Sequence, residues 1–210
     1  MKDIHCHIVP GVDDGSRSME ESLAMLHAAQ EVGVTSMICT PHCRNKNFNY
    51  RIAVEAFEAF KTASKGFPMT LGFEVAHRML ALINPKYYPK LAMKETGQFL
   101  LELDVAASEG MYYSEYAQSI FDLQALGFEI IIAHPERYHA IQENPDLARE
   151  LIRMGCKLQA SADFVAGGRL GHAKKPAKRL IKEGLYDYVA SDAHCVAHYK
   201  YLKKALKAFG

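Results

Sequence analysis

Asp3-Ile4-His5-Cys6-His7 places two histidines, two residues apart, in a short apolar run at the start of the chain. In an extended segment successive side chains alternate, so His5 and His7 share one face and Cys6 takes the other. Both imidazoles can then reach one metal ion. A single strand histidine is more often a satisfied core residue. Here, however, acidic or imidazole groups also end other short apolar runs: Thr40-Pro41-His42, Gly72-Phe73-Glu74, Leu101-Glu102, Ala133-His134-Pro135 and Ser191-Asp192-Ala193-His194. Several neutral imidazoles plus bridging carboxylates are what a polynuclear metal site needs, and distant positions supply them only where a fold gathers strand ends. The pattern points to a metallohydrolase.

Working outward, apolar strand-like runs centre on residues 2–8, 34–40, 69–75, 98–104, 129–133, 156–160 and 187–191, apolar enough to be buried on both faces as parallel strands are. Helical patterns separate them. Ser18-Met19-Glu20-Glu21 has capping-box spacing ahead of Leu23, Leu26 and Val32, with Gly33 as a stop. Ile120, Leu123 and Leu126 predict a helix over 115–126, and Asn144-Pro145-Asp146 predicts a turn and helix start before Leu147, Leu151 and Met154. Further helices fit 174–183 and 199–208, while two prolines and adjacent tyrosines make 80–94 a short or irregular helix. Strand–helix alternation permits a closed barrel or an open doubly wound sheet. Each candidate ligand lies at or just past the carboxyl end of its strand, so one rim must gather them all. The expected architecture is α/β, a distorted TIM-like (β/α)7 barrel, with residues 1–210 as a single domain.

With 49% hydrophobic residues, 210 residues suffice for one sizeable core. The 25 Lys and Arg nearly balance 24 Asp and Glu, leaving no global basic field to hold nucleic acid. Lys174, Lys175, Lys178, Arg179 and Lys182, and again Lys200, Lys203, Lys204 and Lys207, are spaced as solvated helix faces. No apolar run approaches the roughly 20 residues that span a bilayer, and no secretory segment precedes the first motif, so a cytoplasmic protein without membrane insertion is expected. Five cysteines without a disulfide framework agree with a reducing compartment.

Glu74 and Glu102 end apolar runs, where a carboxylate is costly unless it faces water or a cation. Asp13 and Asp14 precede Gly15 in a turn-like loop; either one ligates, or the pair serves an Asx turn. Cys43 and Cys195 follow His42 and His194, which raises a thiolate role, against the commoner use of cysteine as a small apolar filler. Cysteine phosphatases carry Arg six positions beyond the nucleophile; those positions here are Val12, Asn45, Asn49, Ala162 and Tyr201.

Asp3-Ile4-His5-Cys6-His7, Val12-Asp13-Asp14-Gly15-Ser16, Thr40-Pro41-His42, Glu74, Glu102, Ile132-Ala133-His134-Pro135-Glu136-Arg137-Tyr138 and Ser191-Asp192-Ala193-His194 together resemble the polymerase-and-histidinol-phosphatase (PHP) superfamily. More narrowly, they resemble its bacterial protein-tyrosine phosphatases of capsule and exopolysaccharide synthesis. The resemblance covers nearly the whole chain and is densest from Phe121 to Leu158. It implies a PHP-type barrel and hydrolysis of phosphotyrosine by attack of a metal-activated water, with a cognate bacterial tyrosine kinase as substrate.

The resemblance also implies one ion held by His5, His7, Glu74 and Asp192, a second shared through Glu74 with Glu102 and His134, and a third held by Asp14, His42 and His194. Two or three divalent ions are implied, manganese first, with iron or zinc also compatible with nitrogen and oxygen ligands. His134 and Asp192 would thus serve catalysis, and Arg137 matches a phosphate-binding arginine whose planar fork suits two oxygens. An ion pair with Glu136 or a neighbour is the competing use of Arg137. One departure concerns the arginine that members often carry after the Ser-Asp-Ala-His segment: Cys195-Val196-Ala197-His198-Tyr199-Lys200 has none, leaving Lys200 or His198 as substitutes. The chain also ends sooner than typical members, which bears on the last helix and on oligomer contacts. The alternatives are a small-molecule phosphomonoesterase such as histidinol phosphatase, or a non-catalytic metal-binding regulatory module.

Overall fold

The computed structural model describes residues 1–169 and 171–209. Its strands are β1 (Lys2–Cys6), β2 (Ser36–Cys39), β3 (His42–Cys43), β4 (Met69–Leu71), β5 (Glu74–Ala76), β6 (Gln98–Glu102), β7 (Glu129–Ala133), β8 (Lys157–Ser161) and β9 (Tyr188–Ala190). Helices α1 (Met19–Glu31), α2 (Tyr50–Ala63), α3 (Tyr88–Leu91), α4 (Glu109–Met111), α5 (Ala117–Ala125), α6 (His139–Glu143), α7 (Asp146–Arg153), α8 (Lys174–Lys182) and α9 (Tyr199–Phe209) lie between and after them. Every strand pairing is parallel, in the orders β1-β2-β4 and β3-β5-β6-β7-β8-β9.

Seven strands are expected and nine segments occur, because two of the seven are broken. Thr40-Pro41 separates β2 from β3, and Gly72-Phe73 separates β4 from β5. Proline has no amide hydrogen for a ladder, and the backbone bonds across the breaks, Gly72 N to Cys39 O at 2.9 Å and Glu74 N to Pro41 O at 3.2 Å, carry one sheet into the other. The last strand meets the first through Asp192 N to His5 O at 2.8 Å, His7 N to Ala193 O at 2.9 Å and a Cys6–Ala193 bridge. A distorted barrel of seven staves results.

Burial explains the composition of the strands. In β7, Ile130, Ile131, Ile132 and Ala133 are all buried, since one face meets the barrel interior and the other meets helices. Ile4, Ile38, Leu100, Ile131, Ala133 and Ala190, from strands that are not all neighbours, form a small inner cluster with Met93 of the loop before β6, while Phe99, Leu101, Ile130 and Ile132 join the larger layer under the helices.

Ser18 caps α1, its Oγ accepting from Glu21 N at 3.2 Å, and Asn144 makes the expected turn ahead of α7, its Oδ1 accepting from Asp146 N at 3.2 Å. Helix α2 is an addition to the expected set. Its cap, Asn49, accepts from the Arg51 and Ile52 amides, and Ala53, Phe57 and Phe60 are buried on one side. The helix expected over 115–126 starts earlier, through a π-helical turn, Tyr112–Tyr116, that buries Tyr112 and Tyr116 and leaves Tyr113 exposed. Residues 80–94 are irregular, with one 3₁₀ turn (Pro85–Tyr87) leading into the single turn α3. Among the described residues no helix is long and apolar enough to cross a membrane.

Candidate metal centre

The parallel sheet delivers its polar side chains to one rim. His5 and His7 come from the end of β1, His42 and Glu74 from the first positions of β3 and β5, Glu102 from the end of β6, His134 from just past β7, and Asp192 and His194 from just past β9. The loop after β1 adds Asp13 and Asp14. That loop presses on the first strand at Gly15, where any Cβ would collide with the backbone and side chain of His7, so glycine is required by close approach. Two rim residues, His134 (φ 34°) and Asp192 (φ 47°), adopt left-handed backbone that ordinary residues avoid. Such strain costs on the order of 1–3 kcal/mol and is maintained only where surrounding structure enforces it.

Glu74 is the centre of the cluster and is wholly buried. Its Oε1 accepts from His134 Nε2 at 2.8 Å. Its Oε2 lies 3.3 Å from both His5 Nε2 and His7 Nε2, and 2.8 Å from His42 Nδ1. Asp192 Oδ1 is 3.5 Å from His5 Nε2 and 3.3 Å from His7 Nε2. On the outer side, Asp14 Oδ1 is 3.3 Å from His42 Nε2 and 3.6 Å from His194 Nε2. Glu102 Oε1 is 3.8 Å from His134 Nε2.

These close approaches are largely not hydrogen bonds. Glu74 Oε2, both His42 ring nitrogens, His134 Nδ1 and His194 Nε2 are buried without any hydrogen-bond partner. Atoms that bind one ion at about 2.1 Å lie roughly 3–3.5 Å from one another, which is the spacing here. Three ligand groups of four, three and three residues converge in this way: His7, Asp14, His42 and His194; His5, His7 and Glu74; His42, Glu74 and Glu102. The donor set fits divalent cations.

A second layer aims the rings. Gln159 donates Nε2 to Ala160 O at 2.6 Å, which turns its Oε1 to accept from His5 Nδ1 at 2.7 Å. Asp13 Oδ2 accepts from His7 Nδ1 at 2.8 Å and from the His42 amide at 2.9 Å, while its Oδ1 accepts from Gly15 N at 2.9 Å. The two adjacent acids therefore divide: Asp13 orients His7 and Asp14 faces the cluster. Both His5 and His7 are thus held with Nε2 toward Glu74 and Asp192.

Arg137 is nearly buried. Its Nη2 donates to Ser161 Oγ at 2.9 Å, to Asp163 Oδ2 at 3.0 Å and to Asp192 Oδ2, so its ion pairs are with Asp163 and Asp192 and not with Glu136. Its Nε is buried without an acceptor. Tyr138 donates to Ala133 O at 2.6 Å and accepts from Leu103 N at 3.0 Å, tying the ends of β6 and β7 together beneath His134.

The charge balance follows from burial and neighbours. Burial alone would raise Glu74 and Asp192; His5 and His42 hold Glu74, and Arg137 and His5 hold Asp192, well below the usual carboxylate range. Burial works against protonating His5, yet Glu74 and Asp192 overcome it, and Asp13 does the same for His7, so both imidazoles titrate higher than usual. His42, His134 and His194 move down through burial reinforced by the neighbouring positive charge of His7, Arg137 and His7 respectively. Glu102, whose side chain is 21% accessible, is pushed up to about 8 by burial and by the adjacent charges of Glu74 and Asp192. Without an ion, the central carboxylates thus favour the protonated form of His5 and His7, while burial favours the neutral form of His42, His134 and His194.

Of the expected site residues, Lys200 is not brought in. Its ammonium lies 5.0 Å over the ring of Tyr201, and among the described residues it makes no ion pair or hydrogen bond with the cluster. His198 reaches it only indirectly, accepting from the His194 amide at 3.2 Å. Cys43 is buried and pushed up to about 12, which suits a filler better than a thiolate. Three residues outside the expected set join the site: Gln159, whose polar side chain between Leu158 and Ala160 is a usable signal, and Arg44 and Arg169. Arg44 Nη2 is 3.1 Å and Arg169 Nη2 3.7 Å from Asp14 Oδ2.

Comparison with known proteins places this geometry among relatives. The family model for capsular polysaccharide synthesis, CpsB/CapC, matches residues 1–208. The tyrosine-protein phosphatase YwqE of Bacillus subtilis is 33% identical over 205 residues, covering 93% of this chain and 78% of that protein. A crystal structure from work on YwqE of Bacillus subtilis and CpsB of Streptococcus pneumoniae, metal-dependent tyrosine phosphatases, matches with a TM-score of 0.77 at 29% identity, over 99% of this chain and 86% of the other. Histidinol phosphate phosphatase of Lactococcus lactis shares the fold at a TM-score of 0.56 and 12% identity, over 100% of this chain and 93% of the other.

Proposed function

We propose, on the premise that this chain belongs to the CpsB/CapC family of capsular polysaccharide synthesis, that it is a divalent-metal-dependent protein-tyrosine phosphatase. Its substrate would be phosphotyrosine in a cognate bacterial tyrosine kinase of capsule or exopolysaccharide synthesis, in the cytoplasm, with residues 1–210 acting as one metallophosphatase domain. The observation that carries this reading is the buried Glu74 Oε2, on which His5, His7 and His42 nitrogens converge although it has no hydrogen-bond partner.

His5, His7, Glu74 and Asp192 would hold one ion, Glu74, Glu102 and His134 a second, and Asp14, His42 and His194 a third. Nitrogen and oxygen donors suit manganese first, then iron or zinc. When bound, such ions supply an acidified water and counter-charge for the phosphoryl oxygens. Glu74 would serve both inner positions, since its Oε1 faces His134 and its Oε2 faces His5, His7 and His42. Gln159 and Asp13 fix the His5 and His7 rings before substrate arrives. Arg137 positions Asp192 through Nη2, and its Nε–H is left buried without an acceptor beside the cluster. The leaving phenolate, with a parent pKa of about 10, departs more readily than an alkoxide, which lessens the need for a strong acid.

The test is phosphate release by the purified full chain with Mn²⁺, Fe²⁺ or Zn²⁺, from phosphotyrosyl peptides and from histidinol phosphate in parallel, with and without chelator. Chelator-sensitive turnover favouring the peptides is expected. Preference for histidinol phosphate would move the substrate to small monoesters, and bound metal with no hydrolysis of either would favour a regulatory module.

A further inference from the structure

The outer corner of the cluster carries more positive charge than its one carboxylate balances. Asp14 Oδ1 faces His42 and His194, while its Oδ2 meets two guanidinium groups from different parts of the chain. Arg44 follows β3 and Arg169 follows β8, with side chains 34% and 37% accessible. Asp14 itself is 39% accessible, so this corner is open where the Arg137 corner is closed. Each guanidinium has five N–H donors, and an exposed ion pair to Asp14 uses only a fraction of them.

Both arginines are held by built features. Arg78 Nε donates to the Arg44 carbonyl at 3.0 Å while its Nη1 pairs with Asp104 Oδ1 at 3.1 Å, which braces the segment after β3. Arg169 follows Gly167 and Gly168, whose φ values of +108° and +71° exclude most other residues, and a Cβ on Gly168 would lie 2.7 Å from Ala173 Cβ. The Gly168 amide donates to Asp163 O at 2.9 Å, linking this turn to the segment that carries the Arg137 partner.

We infer that Arg44 and Arg169 form a guanidinium pair that captures the phosphoryl dianion of the substrate at the open, Asp14 side of the cluster. This rests on the phosphatase reading above. Two forked cations meeting one carboxylate oxygen present a net positive corner, and a dianion that reaches it gains charge-assisted hydrogen bonds from both. Lys200, occupied over Tyr201, does not serve this purpose.

The experiment measures binding of inorganic phosphate by calorimetry, and KM and kcat for a phosphotyrosyl peptide, in the Mn²⁺-loaded full chain. Metal content by mass spectrometry is followed alongside. Arg44→Ala and Arg169→Ala are each expected to weaken phosphate binding and raise KM about tenfold, with a smaller fall in kcat and unchanged metal content. The double variant should lose about 100-fold, and Arg44→Lys should recover only part of the loss. Loss of metal with unchanged phosphate affinity would overturn the inference, because the arginines would then only be holding Asp14. Phosphate affinity unaffected in all variants would overturn it as well. If the wild type binds phosphate but hydrolyses no peptide, the phosphatase reading fails while the calorimetry still reports on the arginine pair.

Discussion

Glu74 and Glu136 are both glutamates with no accessible surface, yet their surroundings differ completely. Glu136 has a partner on each oxygen: Ser161 N donates to Oε1 at 2.8 Å and Tyr186 OH to Oε2 at 2.8 Å. Glu74 has one hydrogen-bonded oxygen and one, Oε2, surrounded by imidazoles with which it has no hydrogen bond. The titration shifts go in opposite directions: burial pushes Glu136 up to about 7, whereas His5 and His42 overcome burial and hold Glu74 low. Buried polarity with every partner in place supports a fold; buried polarity with lone pairs aimed at common space is built for something that arrives from solution.

The strongest way to break this comparison is to exchange each carboxylate for its amide. Glu74→Gln should lower phosphatase turnover by about 10²–10³-fold or more and strip metal, with circular dichroism unchanged, because a bridging anion is lost. Glu136→Gln should change turnover by only a few-fold. Equal losses in the two variants would show that the contrast between the sites has no functional content.

A second test goes one layer out. Gln159→Leu removes the acceptor that aims His5 Nδ1 and should weaken metal binding about 10–100-fold by titration, with the ring still present. An unchanged affinity would mean that packing alone orients His5.

The pH dependence sharpens the same contrast. Glu136 titrates near 7 in the fold and near 4.5 when unfolded, so the folded state holds its proton more tightly. Its contribution is therefore complete below about pH 4.5 and declines as pH rises toward 7, levelling above that. Melting temperatures of ion-free protein should fall over that window less steeply in Glu136→Gln than in wild type, and parallel slopes would refute the assignment.

The smallest expected effect belongs to Tyr186→Phe. Removing one donor should cost about 1 kcal/mol in a denaturant titration and leave metal affinity unchanged. It should also raise the Glu136 pKa further, since the lost hydrogen bond favours the carboxylate.

Much of this arrangement was legible before any coordinates. Ser18 caps its helix and Asn144 makes the turn that precedes α7 as their spacing requires, because each bond joins neighbours in sequence. Helix α2 shows a missed signal, since Asn49 and the Ala53, Phe57 and Phe60 spacing were there to read. The broken strands at Pro41 and Gly72 were less accessible, as a run of apolar residues shows where a strand lies and not where its ladder changes sheet.

His5, His7, Glu74, Glu102, His134, Asp192 and His194 announce themselves in the linear chain, because charged and imidazole groups at the ends of apolar runs are costly unless something compensates them. Which atoms then face one another is a property of distance through space. The division of labour between Asp13 and Asp14, the aiming of His5 by Gln159, the pairing of Arg137 with Asp192 across 55 positions and the approach of Arg44 and Arg169 to one carboxylate all depend on barrel closure. Local chemistry is written in residue type and spacing; electrostatic partnership falls off with separation in ångströms, and only the folded chain sets those separations.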